Sequence, residues 1–312
     1  MSFFTVVIPL YNKENFIQKT IESVLNQSFD DFEILIIEDC STDNSKKKAL
    51  TVSSDKIKIL QHSENKGLSA SRNTGIQHAA SNYIAFLDAD DVWNPNYLET
   101  IFNLIHKYPE ARLFATNYEE IYNDKTTIIN NQKLLNLGND FQVADFFELN
   151  LGKPIYIPSS LCVAKEVFEK VGSFDEKITY TEDVDFNIRA NASFIMAYSP
   201  KALVDYNMFV ENQMSTTNMT NKFFADFNFY EKQFPENKSL KRYLDFNRYV
   251  LVRMLRNENE TEKSTQLKGE IDGKSLNFRQ KILLQTPQFI VNAISNFKKH
   301  LVKKGIMVSS YD

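Results

Sequence analysis

Three aspartates in one short stretch could hold a divalent cation. Asp88, Asp90 and Asp91 come directly after the apolar run Tyr83–Leu87. A continuous apolar run is typical of a strand buried on both faces, so these carboxylates stand where the strand leaves the core. If the strand continued through them, alternation would place Asp88 and Asp90 on one side and Asp91 on the other. Oxygen ligands favour Mg²⁺ or Mn²⁺, and a solvated acidic turn is the alternative interpretation.

A second acidic cluster offers carboxylates for proton transfer. It consists of Asp175 and Glu176 and, after Thr181, of Glu182, Asp183 and Asp185. A positioned carboxylate can act as a general base. Helix capping is the alternative, because acidic side chains favour a helix N-terminus.

The elements that must position these residues alternate along the first part of the chain. Apolar runs predict strands over residues 3–10, 32–37, 57–60 and 83–87, with helical patterns between them. This alternation predicts a parallel sheet with right-handed crossovers. Ligands bind beyond the carboxyl ends of the strands in such a sheet.

Polar residues follow three of these predicted strands. Tyr11 and Asn12 come after the first strand, and Glu38 and Asp39 end the second. Together with the aspartates after the fourth strand, they are expected to meet in one crevice. Convergence of three strand ends is a stronger indication of a site than any one of them.

Composition limits the class of protein. The chain has 312 residues, 43% hydrophobic and 24% charged, which is typical of a soluble globular protein with one large domain or two. The net charge of −4 argues against a general nucleic-acid binder. The two cysteines have no metal-type spacing and suit a reducing cytoplasm. The apolar start is interpreted as a strand, and no run is long enough to span a bilayer. We therefore expect a cytoplasmic protein.

The end of the chain combines apolar and basic residues. The sequence predicts helices from about Phe223 onward, and residues 277–304 carry several lysines among apolar side chains. Such a segment can dock on the main domain or on a second subunit, which is favoured because most apolar helix faces are core faces. Peripheral contact with the inner face of the cytoplasmic membrane is the alternative.

Six motifs, in this order and spacing, resemble the family 2 glycosyltransferases with the GT-A fold. The resemblance covers roughly residues 3–210, and its motifs are Val7–Glu14, Ile36–Ser45, Asn65–Gly75, Phe86–Asp91, Gly172–Glu176 and Thr181–Asp183. It implies an α/β fold with a Rossmann-like, mostly parallel sheet flanked by helices and a C-terminal helical extension. The implied organisation is a nucleotide-sugar-binding half (1–115), an acceptor-binding half of the same domain (116–220) and the helical extension (221–312).

The resemblance implies an inverting enzyme that moves a sugar from a nucleoside-diphosphate sugar, with UDP favoured, to a hydroxyl of a glycan or polyprenyl-linked saccharide. It assigns the general base to Asp183. It assigns Mn²⁺ or Mg²⁺ to Asp90, with Asp88 at the ribose and the metal's outer shell. The remaining implied site residues are Pro9, Tyr11, Asn12, Glu38, Asp39 and Arg72 for the nucleotide, and Asp91, Trp93 and Glu182 on the acceptor side.

Departures from the family pattern refine this picture. Cys40 stands where relatives commonly have glycine, which puts the local turn in question. The Gln-X-X-Arg-Trp element of processive members is missing, so single addition is expected, in synthesis of a surface polysaccharide such as capsule or lipopolysaccharide. Neither a Gly-X-Gly-X-X-Gly turn nor a Gly-X4-Gly-Lys loop occurs, which argues against dehydrogenases and P-loop enzymes. A non-catalytic nucleotide-sugar-binding or scaffold protein of the same fold remains the alternative.

Overall fold

The structure is a computed structural model, and it describes residues 2–122, 125–128, 139–208, 219, 221–291, 293 and 297. The chain forms two compact units. The first comprises Met1–Phe146, Ile155–Thr216 and Phe223–Ala225, and the second comprises Phe147–Pro154, Thr217–Lys222 and Asp226–Asp312. The predicted division of the first part of the chain at residue 115 stays a prediction.

A single sheet forms the centre of the first unit. Its strands in chain order are β1 (Phe4–Leu10), β2 (Phe32–Glu38), β3 (Ile57–Gln61), β4 (Tyr83–Phe86), β5 (Val92–Trp93), β6 (Leu113–Tyr122), β7 (Lys125–Ile128), β8 (Phe141–Gln142), β9 (Leu161–Ala164) and β10 (Met196–Asn207). Across the sheet they lie in the order β3-β2-β1-β4-β9-β6-β10-β5, with β7 on β6 and β8 on β10.

The sheet is parallel in its first part and mixed beyond it. The strands β3, β2, β1 and β4 run parallel to one another. β9 is antiparallel to both of its neighbours, β4 and β6, and β10 then pairs parallel to β6. The prediction of an α/β sheet flanked by helices is confirmed, and the parallel arrangement holds across the first four strands.

Helices connect the strands and continue to the end of the chain. They are α1 (Ile17–Leu25), α2 (Ser45–Thr51), α3 (Leu68–His78), α4 (Tyr97–Lys107), α5 (Phe146–Leu149), α6 (Lys165–Val171), α7 (Glu182–Asn191), α8 (Phe227–Gln233), α9 (Lys238–Asn257), α10 (Thr261–Gly269) and α11 (Phe278–Gln285). Short 3₁₀ turns lie at Pro158–Ser160 and Gly273–Ser275.

Burial explains why the central strands have continuous apolar sequences. Every residue of β1 is buried, and β2 is buried apart from Glu33. Because α3 packs on β1 and β2, a polar side chain on that side needs a partner within the protein, and buried Thr5 has one in Glu33, whose Oε1 accepts the Thr5 hydroxyl at 2.7 Å. The i, i+4, i+7 spacing of Ile17, Ile21 and Val24 likewise places one face of α1 in the core.

The chain leaves β4 earlier than the sequence indicates. The strand ends at Phe86, and a turn follows in which the Asp91 N–H donates to the Asp88 carbonyl at 3.0 Å. The expectation that the aspartates alternate along a strand is therefore wrong, because they lie in a turn.

The second unit is helical in its described part, which confirms the predicted C-terminal helical extension. Its core includes Phe246, Tyr249 and Val252 from α9, together with Leu276 and Leu284. α11 ends at Gln285, directly before Thr286 and Pro287, and most of the predicted basic segment beyond residue 291 lies outside the described residues. Among the described residues, none of the helices combines the length and apolar character that crossing a membrane requires.

Candidate active site

The carboxyl ends of β2, β1 and β4 lie side by side at one edge of the sheet. These strands end at Glu38, Leu10 and Phe86, and they are adjacent and parallel. The segments beginning with Asp39, Tyr11 and Asp88 therefore meet at this edge, as the strand pattern predicts. The Tyr11 ring is exposed.

The loops after β1 and β2 are joined through Asn12. Its N–H donates to Ser41 Oγ at 3.2 Å, and its Oδ1 accepts the Thr42 N–H at 2.8 Å. Asn12 and Cys40 both have positive φ angles, of 51° and 60°. Cys40 thus adopts the left-handed conformation that glycine would adopt freely, at a cost of about 1 kcal/mol.

Asp39 is buried and held by three donors. Its Oδ1 contacts His62 Nδ1 at 2.7 Å and accepts the Lys66 N–H at 2.8 Å, and its Oδ2 accepts the Gly67 N–H at 2.8 Å. His62 Nε2 in turn contacts Thr74 Oγ1 at 2.9 Å. The carboxylate is therefore held rigidly between β2 and the N-terminus of α3.

Two other residues predicted to bind the nucleotide are also buried. Glu38 accepts the Ser41 N–H through Oε1 at 2.6 Å and so stabilises the turn after β2. Pro9 lies within β1, opposite Ile37 of β2. Tyr11 is the more accessible of the predicted residues on this side of the edge.

Arg72 connects the end of β4 to the start of α7. Its guanidinium is fully buried, with Nη2 at 3.0 Å from Asp88 Oδ1 and Nη1 at 3.5 Å from Glu182 Oε1. Burial disfavours the charged guanidinium, but Asp88 and Glu182 outweigh that effect and raise the pKa of Arg72. Its Nε has no hydrogen-bond partner among the described residues. Arg72 thus joins two acids that are 94 residues apart in the sequence.

Asp90 forms an ion pair with Lys13. The Lys13 ammonium lies 2.8 Å from Asp90 Oδ2, and both side chains are nearly buried. Burial raises the pKa of Asp90, although Lys13 opposes this rise. Asn207 Nδ2 donates to the Asp90 carbonyl at 2.5 Å. Asp90, which is predicted to bind a metal directly, therefore already has the Lys13 ammonium beside it.

Asp91 and Trp93 lie in the interior, away from the accessible part of the edge. Asp91 accepts hydrogen bonds from Ser159 Oγ at 2.5 Å and from the Asn207 N–H at 3.2 Å. Burial raises the pKa of Asp91 well above its usual range, and the charges of Asp90 and Asp88 add to the rise. The Trp93 indole N–H donates to the Ser159 carbonyl at 2.7 Å, and its ring belongs to the core. Both side chains are therefore interior, and their assignment to the acceptor side stays a prediction.

The acids at the start of α7 have three different environments. Asp185 pairs with Arg189 at 2.6 Å, and Glu182 faces Arg72. Asp183 is partly exposed, and its Oδ1 accepts the neighbouring Val184 N–H at 2.8 Å. Burial raises the pKa of Glu182 to about 7 and also raises that of Asp183. Thr181 precedes them with a φ of 73°, so the cluster follows a left-handed turn.

Four contributors to this site were missed by the sequence reasoning. Lys13 lies three residues after the end of β1 and His62 directly follows β3, so the strand-end argument could have found them. Ser159 and Asn207 come from later segments, and nothing in their local sequence indicates contact with Asp91. Many members of the family that the sequence resembles have a histidine near the metal and the diphosphate, in the region that corresponds to Tyr206–Ser215 of this chain, and residues 209–215 of that region lie outside the described residues.

The residues present can accommodate a divalent cation only in part. Among the described residues, no group of three or more His, Cys, Asp or Glu side chains could hold a metal. Mg²⁺ is commonly bound by one or two carboxylates together with substrate phosphates, and Asp88 and Asp90 provide such oxygens on one turn. The two acids fit a cation whose remaining ligands come from a bound diphosphate and water.

Comparison with known proteins identifies the family. The model of glycosyl transferase family 2 matches residues 5–172, which is more than half of the chain. The matched region contains the loops after β1 and β2 that Asn12 joins, Asp39, Arg72 and the turn of Asp88–Asp91. The chain belongs to glycosyl transferase family 2, a family of glycosyltransferase enzymes.

Curated relatives resemble part of this chain. The Escherichia coli protein WfgD, named UDP-Glc:alpha-D-GlcNAc-diphosphoundecaprenol beta-1,3-glucosyltransferase, is 38% identical over 120 residues, which cover 38% of this chain and 47% of WfgD. The Bacillus subtilis minor teichoic acid biosynthesis protein GgaA is 28% identical over 197 residues, covering 59% of this chain and 42% of GgaA. The chain thus spans less than half the length of either protein.

A solved structure supports the fold over nearly the whole chain. The crystal structure of S. aureus TarS 1–349 in complex with UDP-GlcNAc matches with a TM-score of 0.61 and 15% identity, covering 98% of this chain and 92% of the other. At this identity the likeness shows the GT-A fold alone.

Proposed function

We propose that this protein is an inverting, non-processive glycosyltransferase that transfers a sugar from a nucleoside-diphosphate sugar to a hydroxyl of a glycan or lipid-linked acceptor. Family membership supports the reaction class. The name of WfgD supports a UDP-sugar and a diphosphoundecaprenol-linked acceptor, and the name of GgaA supports synthesis of a surface polymer. UDP is accordingly the favoured nucleotide, and capsule, lipopolysaccharide or teichoic-acid-type polymers are the favoured products.

One observation carries this proposal. Buried Arg72 joins Asp88, at the end of β4, to Glu182, the residue beside Asp183. The donor side and the proposed base are thereby connected through one rigid group. Inverting transfer needs the acceptor oxygen and the leaving phosphate on opposite sides of the anomeric carbon, and Arg72 supports this by fixing the Asp88 turn relative to the start of α7.

Asp183 acts as the general base in this proposal. It removes the proton from the acceptor hydroxyl while that oxygen bonds to the anomeric carbon and the bond to the nucleotide phosphate breaks, leaving its electron pair on the diphosphate. Among the three acids, Asp185 is neutralised by Arg189 and Glu182 faces Arg72. A raised pKa makes the Asp183 carboxylate a stronger base than an ordinary aspartate.

The nucleotide is proposed to bind at the edge formed by the β1 and β2 loops. Asp39 retains acceptor capacity on Oδ2 for a donor on the base, since that oxygen receives one described hydrogen bond. Tyr11 and Asn12 flank this position on the neighbouring loop, and the exposed Tyr11 ring can stack on the base.

Asp90 and Asp88 would hold Mn²⁺ or Mg²⁺, which would stabilise the negative charge that develops on the leaving diphosphate. Lys13 neutralises Asp90 in the structure as it stands, so cation binding requires this ammonium to move or to share the carboxylate. Arg72 supplies a permanent positive charge at Asp88.

A nucleotide-sugar screen tests the proposal. Purified protein is incubated with UDP-, GDP- and dTDP-sugars in Mn²⁺, Mg²⁺ or EDTA, and both the Tm and the release of nucleoside diphosphate are measured. A UDP-sugar should raise the Tm, because a ligand at 100 times its Kd stabilises by about 2.7 kcal/mol. Slow UDP release should accompany it, and the product formed on an added acceptor should have inverted anomeric configuration by NMR.

The same screen distinguishes a glycosyltransferase from a non-catalytic nucleotide-sugar-binding or scaffold protein of the same fold. Binding without release, in the protein and in Asp183→Asn alike, would identify a non-catalytic nucleotide-sugar-binding protein. Absence of binding to every nucleotide sugar would overturn both interpretations.

A further inference from the structure

The C-terminal part of the chain has a charge opposite to that of the rest. Between Gly273 and Tyr311 there are seven Lys or Arg residues and no Asp or Glu. Since the whole chain has a net charge of −4, the remainder carries −11. A positive segment on a negative protein can be directed to an anionic partner by electrostatics alone.

Large apolar side chains are exposed in the same segment. Phe278 is 76%, Phe289 74% and Phe297 62% exposed, and Ile282 and Ile290 are exposed as well. We call these five residues the C-terminal apolar residues. Single exposed apolar residues are ordinary, whereas neighbouring ones are typical of an interaction site, and Phe278 and Ile282 lie one turn apart on α11.

The helix that carries two of these residues is firmly attached to its own unit. Leu284 on its inner side and Leu276 just before it pack in the core with Phe246 and Tyr249 of α9. Asn277 caps the first turn of α11, and Arg256 donates to the Thr286 carbonyl at 2.5 Å. Phe278 and Ile282 are therefore exposed on a helix whose other side is already packed.

Cations flank the apolar side chains. Arg279 and Lys281 are exposed on α11 beside Phe278 and Ile282. Within the part of the chain that the structure describes, neither forms an ion pair. Their charges are thus available to a partner with negative groups.

We propose that the exposed side of α11, with its two cations and the C-terminal apolar residues, binds the surface of an anionic lipid bilayer, with these apolar side chains at the boundary between headgroups and acyl chains. Phenylalanine and isoleucine side chains gain from that boundary, and each nearby Lys or Arg is attracted by anionic headgroups. A second copy of this chain that placed the same segment against this one is a poorer occupant, because two positively charged segments would then be in contact. The inference does not depend on the proposed glycosyl transfer.

A vesicle flotation assay with the full chain tests the proposal. The protein is mixed with vesicles of phosphatidylcholine alone or with 30% phosphatidylglycerol, at 0.1 M and 0.5 M NaCl. Flotation is expected with the anionic vesicles and should weaken at high salt. Lys281→Gln should reduce binding about fivefold at low salt, and Phe278→Gln should reduce it about tenfold at both salt concentrations.

A matched pair of variants controls for loss of charge and apolar surface. Each variant of the pair removes one exposed apolar side chain and one exposed cation. The α11 variant is Phe278→Gln/Lys281→Gln, and the α2 variant is Leu50→Gln/Lys47→Gln. The α2 variant should float like the unmodified protein. Both variants should match the unmodified protein in their unfolding midpoints and in the release of nucleoside diphosphate. Because flotation is measured without any transfer reaction, failure of the transfer assay would leave the flotation result unaffected.

Three outcomes would overturn the proposal. One is absence of flotation with phosphatidylglycerol, and another is equal loss of binding in the two double variants. The third is a sedimentation coefficient that falls in Phe278→Gln/Lys281→Gln without any flotation, since that would assign the surface to a second copy of the chain.

Discussion

Asp183, Glu182 and Asp185 show how three adjacent acids acquire different chemistry from their contacts. The sequence places all three in one first helical turn, where any of them could cap the helix or act as a base. Arg189 neutralises Asp185 and Arg72 faces Glu182, while Asp183 stays partly exposed with a raised pKa. The proposal that Asp183 is the general base therefore rests on Arg72 and Arg189, which both lie outside the motif Thr181–Asp183.

Replacement of Asp183 should separate binding from turnover. Asp183→Asn removes the proton acceptor and keeps the shape, so kcat should fall by about 10²–10⁴-fold while nucleotide-sugar affinity changes little. Turnover and isothermal titration of the same preparation measure the two effects. Asp185→Asn is the matched control, which should lose stability through Arg189 and keep kcat within a few-fold. Equal losses of kcat would argue against Asp183.

Glu182 should make stability depend on pH. The pKa of Glu182 is about 7 in the folded protein, compared with 4.5 for an ordinary glutamate. Between pH 4.5 and pH 7 folding is therefore accompanied by binding of a proton. This contribution is fully present below pH 4.5 and is lost as the pH rises through 7. Glu182→Gln removes the ionisation, so relative to the unmodified protein it should gain about 1–3 kcal/mol of unfolding free energy between pH 4.5 and pH 8.

Urea unfolding of both proteins at pH 4.5 and pH 8 measures that difference. Glu169→Gln, at an exposed position of α6, removes the same charge and should show little change between the two values. A pH-independent difference between Glu182→Gln and the unmodified protein would contradict a raised pKa at Glu182.

Lys13 should compete with a divalent cation at Asp90. In Lys13→Met the carboxylate loses the ammonium at 2.8 Å, so Mn²⁺ should bind the nucleotide-free protein about three- to tenfold more tightly. Mn²⁺ titration followed by electron paramagnetic resonance measures this without turnover, and Lys47→Met serves as the surface control. Weaker Mn²⁺ binding in Lys13→Met would show that the two cations do not compete.

At the scale of elements, close packing of α3 on β1 holds Arg72 in place. Gly75 lies one turn after Arg72 on α3, and a Cβ there would lie 2.3 Å from Val7 Cγ1 and 2.8 Å from Val7 Cγ2. Val7 is fully buried in β1. Glycine at this position allows the helix to approach the strand, which brings the guanidinium to the edge where β4 ends.

Gly75→Ala should therefore destabilise the protein. The added methyl group overpacks the core, which costs about 1–3 kcal/mol of unfolding free energy. Gly269→Ala, at the end of α10 with no atom within 4 Å of the added Cβ, should be neutral or slightly stabilising. Urea unfolding curves compare the two variants, and equal stability would show that β1 and α3 can separate without cost.

At the scale of the whole molecule, the chain separates into two units with different roles in these proposals. All of the candidate active-site residues belong to the first unit, which contains the sheet. The basic C-terminal segment and its exposed phenylalanines belong to the second. The positive charge of the C-terminal segment and the negative charge of the remainder follow from the sequence, whereas the exposure of Phe278 depends on the packing of Leu284 against α9.

Residue pattern alone determined the alternation of strands and helices, the meeting of the β1, β2 and β4 ends and the motifs of glycosyl transferase family 2. These features are local, because they follow from runs of apolar residues and from short spacings. Tertiary structure alone decided that β4 stops at Phe86, that Asp91 and Trp93 are interior and that Lys13 reaches Asp90. Each of these depends on residues distant in sequence, such as Ser159 and Asn207, and their contacts form only when the packed chain brings them to the same edge of the sheet.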